Sequence, residues 1–100
     1  MAGIISQEND LKNHRVFAMW EECGIQFRAN IITEVGGGIK LHKHDYDHVA
    51  ICTQGRFLLN NQTEIKPGSK TTILRDTEHS FKLIADAPGE IICLWPCPKE

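Results

Sequence analysis

Three histidines fall within seven positions of this chain, in the stretch His42-Lys43-His44-Asp45-Tyr46-Asp47-His48. On an extended strand side chains alternate between faces, so His42 and His44 point the same way. A three-residue turn at Asp45-Tyr46-Asp47 would set His44 and His48 opposite each other on adjacent antiparallel strands. Cross-strand Cβ atoms lie about 5 Å apart, close enough for the rings to converge. His79 opens a later apolar segment and brings a fourth ring from a separate strand. Four imidazoles aimed at one volume mean metal chemistry, because their nitrogens suit divalent first-row ions. We expect one divalent transition metal per chain, held by His42, His44, His48 and His79. Four ligands in an octahedron leave two positions for water, O2 or a substrate, whereas a tetrahedron closes the site. The open form is expected, with Mn, Fe or Ni preferred over Zn or Cu. The competing reading is a wet turn whose histidines cluster by chance, a reading that Tyr46 and the two aspartates favour. His14 stands apart in the polar N-terminal region and is left out of the site.

The histidines also set which parity faces inward. Ala50 and Cys52 share the parity of His48, and Phe81 and Leu83 share that of His79. With Phe27 they are the candidate pocket residues, although Cys52 reads better as a small buried hydrophobe. Arg28 and Arg56 are the cations to check for a substrate carboxylate, against the plainer reading of solvated surface residues. Glu78, beside His79, is a weak candidate to accept a hydrogen bond from a ligand imidazole. Trp20 and Trp95 suit a barrel end or a subunit interface.

The elements that must position these residues read as strands. Ile25 to Val35 alternates, with Ile25, Phe27, Ala29, Ile31 and Thr33 on one parity and Gln26, Arg28 and Asn30 on the other. Gly36-Gly37-Gly38 breaks it. Further extended segments run over 16–20, 39–44, 48–53, 56–59, 63–65, 71–74, 79–84 and 90–95. They are punctuated by Gln54-Gly55, Asn60-Asn61, Pro67-Gly68 and Ala87-Pro88-Gly89. That makes about eight or nine short strands with frequent turn signals, the rhythm of an all-β antiparallel barrel or sandwich. Residues 1–15 read as an N-terminal arm or short helix and 16–100 as one β-barrel domain.

Composition narrows the function. A chain of 100 residues is one small domain, and such a domain buries only about two thirds of its unfolded surface. A bound metal, a partner subunit or both would stabilise it, and a homodimer is expected. Charged residues make up 24%, apolar residues 41%, and the formal net charge is -2. Lys and Arg form no run, so no nucleic-acid partner is expected. No apolar stretch is long enough to span a bilayer, so no membrane partner is expected either. Met1-Ala2-Gly3-Ile4-Ile5-Ser6 lacks a basic region followed by an apolar core, and the protein is expected in the cytoplasm. Its four cysteines, Cys23, Cys52, Cys93 and Cys97, are then expected as reduced thiols.

At the histidines the sequence resembles the cupins, and in size the small single-domain kind. The first cupin motif is a Gly, five residues, His-x-His, three or four residues, Glu, six residues and Gly. Here it reads Gly36, His42-x-His44, His48 and Gly55, with every spacing matched and His48 where most cupins carry Glu. The second motif centres on a later His, matched by His79. Leu74 and Asp76 stand where its Pro and Gly would be, and Leu83 stands where Asn is common. The motifs cover residues 36–83, and the strand rhythm extends the resemblance over about 16–95. The resemblance implies a double-stranded β-helix (jelly roll) around an all-histidine metal site. Without the Glu, the full metal charge stays on the centre and no carboxylate stands beside it as a base. Among the activities the resemblance allows, dioxygenase-type oxidoreduction of a small organic substrate is preferred. The alternatives are a non-catalytic module that binds or senses a small ligand, and a metal-dependent isomerase. The last is weakened by the lack of a clear general acid or base.

Overall fold

Residues 14–96 are described in the computed structural model, and every regular element among them is a strand. The strands are β1 (His14–Glu22), β2 (Ile25–Ile32), β3 (Gly38–His42), β4 (His48–Leu59), β5 (Thr63–Ile65), β6 (Lys70–Ile73) and β7 (His79–Pro96). All their pairings are antiparallel. The order is β1-β2-β7-β4-β5, with β3 also paired to β7 and β6 to β4. The sheet does not close on itself, so the expected barrel is an open one. β5 and β6 offer only three and four residues, and neither reaches β1. The expected arm over 1–15 lies outside the described residues except for His14 and Arg15, which already belong to β1. Cys97 lies outside them too, while Cys23, Cys52 and Cys93 are free thiols.

Two strands run through positions where the sequence signals a turn. β4 continues past Gln54-Gly55, and β7 continues past Ala87-Pro88-Gly89. The two pair with each other, and their register shifts between Cys52 and Phe57. A local bulge takes up the turn-forming residues, so the strand bends rather than ends. Glycine is needed there because the backbones touch. A Cβ on Gly55 would lie 2.8 Å from the Cα of Gly89, and one on Gly89 would lie 2.6 Å from the Phe57 ring.

β7 organises the molecule. Its first half pairs with β3 and β4, and its second half with β2 and β4. One strand thus carries both His79 and Trp95 into the same cleft. The core beneath is built from alternate residues. Ala50 and Cys52 of β4 and Phe81, Leu83 and Ile91 of β7 are buried together with Ile32, Phe57 and Cys93. On β2 the inward parity is the opposite of the apolar pattern. Ile32 and Asn30 are fully buried, and Asn30 Nδ2 donates to the Ile91 carbonyl at 3.1 Å. Phe27, on the other face, stacks on Trp20 with centroids 5.0 Å apart. The alternation misleads because both faces of β2 are partly covered, so apolarity alone does not mark the interior.

Candidate metal centre

His42 and His79 are cross-strand partners on β3 and β7, with ring centroids 4.2 Å apart. This is the pairing that sequence spacing assigned to His44 and His48. Those two are not strand neighbours, because β3 and β4 do not pair and β7 lies alongside both. His44 instead sits in the loop between β3 and β4. Two hydrogen bonds tie that loop to the one leading into β7. The Asp76 N–H donates to the His44 carbonyl at 2.7 Å, and the Arg75 N–H donates to Asp47 Oδ1 at 2.7 Å. His48 opens β4. Its ring centroid is 5.3 Å from that of His44 and 5.1 Å from that of His79. All four rings therefore converge, although one arrives by a different route than expected.

Their tautomers follow from the backbone. A carbonyl oxygen can only accept, so His42 Nδ1–H donates to the Lys40 carbonyl at 2.8 Å and His79 Nδ1–H donates to the Thr77 carbonyl at 2.9 Å. In the neutral ring the proton is spent there, and Nε2 presents a lone pair. The acceptor for His79 is thus a carbonyl two residues upstream. Glu78 is exposed and plays no such part.

His42, His44 and His79 place ligand atoms within 4.8 Å of one another and could hold a metal ion, whereas the fourth expected ligand, His48, lies beside this group and is not part of it. The residues fit that role on two observations. His42 Nε2 and His44 Nε2 stand 3.1 Å apart, and two nitrogens each about 2.1 Å from one ion and at right angles lie about 3 Å apart. His48 Nδ1 is buried without a hydrogen-bond partner, a costly state unless a ligand satisfies it. Burial pushes the pKa values of His44 and His48 down to about 4, and the neighbouring histidines and Arg28 push the same way. Burial lowers His79 as well. The rings of His44, His48 and His79 are neutral at pH 7, the form that coordinates metal.

The cleft around the rings is narrow, with ≈ 270 Å³ of empty space counting its open mouth. Of the expected pocket residues only Phe81 lines it. Ala50, Cys52 and Leu83 lie deeper, in the core, where the Cys52 thiol donates to the Gly55 carbonyl. Phe27 is on the far face of β2. The residues that spacing did not assign to the cleft are Ile39, Tyr46, Cys93 and Trp95. Tyr46 was read as part of a wet turn. It stacks on His44 at 4.8 Å and on Trp95 at 5.4 Å, making one wall of the cleft. Arg28, flagged only as a cation to check, lines the cleft, whereas Arg56 is exposed and paired with Glu64. The position of Arg28 on the polar parity of β2 was the available signal. Among the described residues no carboxylate lines the cleft. Burial raises the Tyr46 phenol and lifts the Cys93 thiol to about 11, so both are neutral at pH 7.

No family model and no curated protein sequence matches the chain. Solved structures do. A cupin-2 domain protein from Shewanella frigidimarina matches at 24% identity and TM-score 0.59, over 88% of this chain and 83% of its own. KdgF from Halomonas sp. matches at 16% and 0.70, over 99% and 96%. A chain from the complex of Rhodobacter sphaeroides SigE with the anti-sigma ChrR matches at 14% and 0.74, over 95% of this chain. This chain spans about half of that one, 49%. An open antiparallel sheet with a histidine cluster at one end of its core, overlaid on these structures, is the cupin fold.

Proposed function

We propose that this chain is a metal-dependent oxidoreductase of the dioxygenase type acting on a small organic substrate, with one metal held by His42, His44, His48 and His79. The observation that supports the reading best is the paired tautomer locking of His42 and His79, which aims two bare Nε2 atoms at the volume that the rings of His44 and His48 also face. A divalent first-row ion there would supply Lewis acidity and, if redox-active, an electron-transfer route to O2. Everything else falls to the chain's own groups. The Lys40 and Thr77 carbonyls orient the rings. Tyr46 and Trp95 narrow the approach and limit water. That no carboxylate among the described residues lines the cleft argues against a proton-shuttling isomerase, because Cys93 and Tyr46 hold their protons at neutral pH.

A second reading, a non-catalytic sensing module, is favoured by the overlay on a chain from the complex of SigE with the anti-sigma ChrR. One experiment separates the two. The protein is loaded in turn with Mn, Fe and Ni, its metal content is measured, and O2 uptake is followed across a panel of small organic acids, thiols and diketones. Uptake that depends on both the metal and a substrate supports the enzyme. Stoichiometric metal with no uptake on any of them shifts the reading to the sensor. A chain that takes up none of these ions ends both.

We also propose a homodimer. Among the described residues β1 ends the sheet, and its Trp20 is 44% exposed. An unpaired strand edge with an exposed aromatic is a natural place for a second copy.

A further inference from the structure

We propose that Arg28 is the anchor for a small carboxylate that lies between its guanidinium and the histidine centre. This rests on the reading of that centre as a metal site and adds to it the class of ligand. Arg28 stands on β2 opposite Cys93 of β7, and its guanidinium carbon lies 5.9 Å from the centroid of the Trp95 ring. Trp95 stacks on Tyr46 and Tyr46 on His44, so a continuous wall of flat groups runs from the guanidinium to the histidines. Arg28 lines the same cleft as all four histidines. Its Nε is buried and has no hydrogen-bond partner among the described residues.

A buried charged donor left without a partner is costly, and the cost is met when a ligand accepts the bond. The charge of the cleft names that ligand. Among the described residues its lining contains one guanidinium, four imidazoles and no Asp or Glu. A divalent ion among neutral imidazoles would add its full charge to that of Arg28, so the cleft favours an anion. The guanidinium fork matches the two coplanar oxygens of a carboxylate. The cleft is small, with ≈ 270 Å³ of empty space even counting its open mouth, and this favours a small carboxylate over the bulkier, more highly charged phosphate, which the fork could also hold.

Zinc-loaded protein is titrated with acetate, with inorganic phosphate and with neutral acetamide, and binding is read by calorimetry. The parent, Arg28→Gln and Arg28→Lys are compared after their zinc content and melting temperatures are shown to match. We expect acetate to bind Arg28→Gln ~10-fold or more weakly than the parent, since a buried charge partner has been removed. Arg28→Lys should lie between, because it keeps the charge and loses the fork. Acetamide should bind all three alike. Equal acetate affinity in the parent and a zinc-replete Arg28→Gln overturns the inference, as does phosphate binding tighter than acetate. If Arg28→Gln does not fold, the Arg28 Nε–H resonance of ¹⁵N-labelled zinc-loaded parent takes its place: it should move on addition of acetate, and a resonance that stays put overturns the proposal. Failure to take up zinc at all would instead be a failure of the metal reading. In that event the same resonance in metal-free protein still decides whether Arg28 meets the carboxylate.

Discussion

His42 and His79 both spend their Nδ1 proton on a carbonyl two residues upstream. The strand geometry that places each ring thus also selects its tautomer, and two residue-scale predictions follow from the cluster. His44→Ala should lose most of the bound metal, whereas His14→Ala should keep it, as metal analysis of both purified variants would show. Full occupancy in His44→Ala would mean that the cluster is incidental. The second concerns acid. Burial holds His44 and His48 at about 4 in the folded protein, below the ordinary 6.5. As pH falls below 6.5 the unfolded chain takes up protons first, so metal-free protein should lose stability between pH 6.5 and 4 and lose no more from these groups below that. Denaturant midpoints at pH 7, 5.5 and 4.5 should decline in that order, and a flat series would contradict the burial of the rings.

At the scale of elements, β3 has to lie hard against β7 for His42 to meet His79. Gly38 sets that distance. A Cβ there would come 2.0 Å from the Phe81 carbonyl oxygen and 2.9 Å from its carbon, contacts with backbone that cannot swing aside. Gly38→Ala should therefore push β3 away from β7 and destabilise the protein by more than about 2 kcal/mol, the scale of a change that forces backbone strain. It should weaken metal binding at the same time, because His42 moves with the strand. A chemical denaturation curve and a metal titration of the same preparation would check both. At Gly36, a few residues earlier, a Cβ would meet nothing within 4 Å, and there it is the φ of +95° rather than crowding that favours glycine.

The whole molecule is a small sheet with a modest core and a histidine cluster that joins β3, the β3–β4 loop, β4 and β7. Metal binding to the folded form alone should stabilise all of these together. Free metal at 100 times Kd adds roughly 2.7 kcal/mol, and a domain of this size gains about 4–8 °C per kcal/mol. Loaded protein should melt about 10 °C or more above chelator-treated protein, and coincident melts would mean that the ion does not report on the fold. Sedimentation at micromolar concentration addresses the assembly: a dimer is expected, and a monomer would leave the β1 edge unpartnered in solution.

The gathering of the histidines was legible from sequence because it depends on residue type and short spacing. His42, His44, His48 and His79, the all-β rhythm, the inward parity of β4 and the first half of β7, and the burial of Cys52 all follow from a period of two and a few turn residues. Tertiary structure decided what spacing cannot carry. It made β7 the strand between β3 and β4, so that His42 faces His79 and His44 arrives on a loop tied down by Arg75 and Asp76. It turned Arg28 rather than Phe27 into the cleft, because both faces of β2 find cover and apolar alternation no longer distinguishes them. It ran β4 and β7 through their turn signals, where two glycines let the backbones touch. It also left the sheet unclosed, since strand pairing is a contact between segments distant in sequence that no local pattern records.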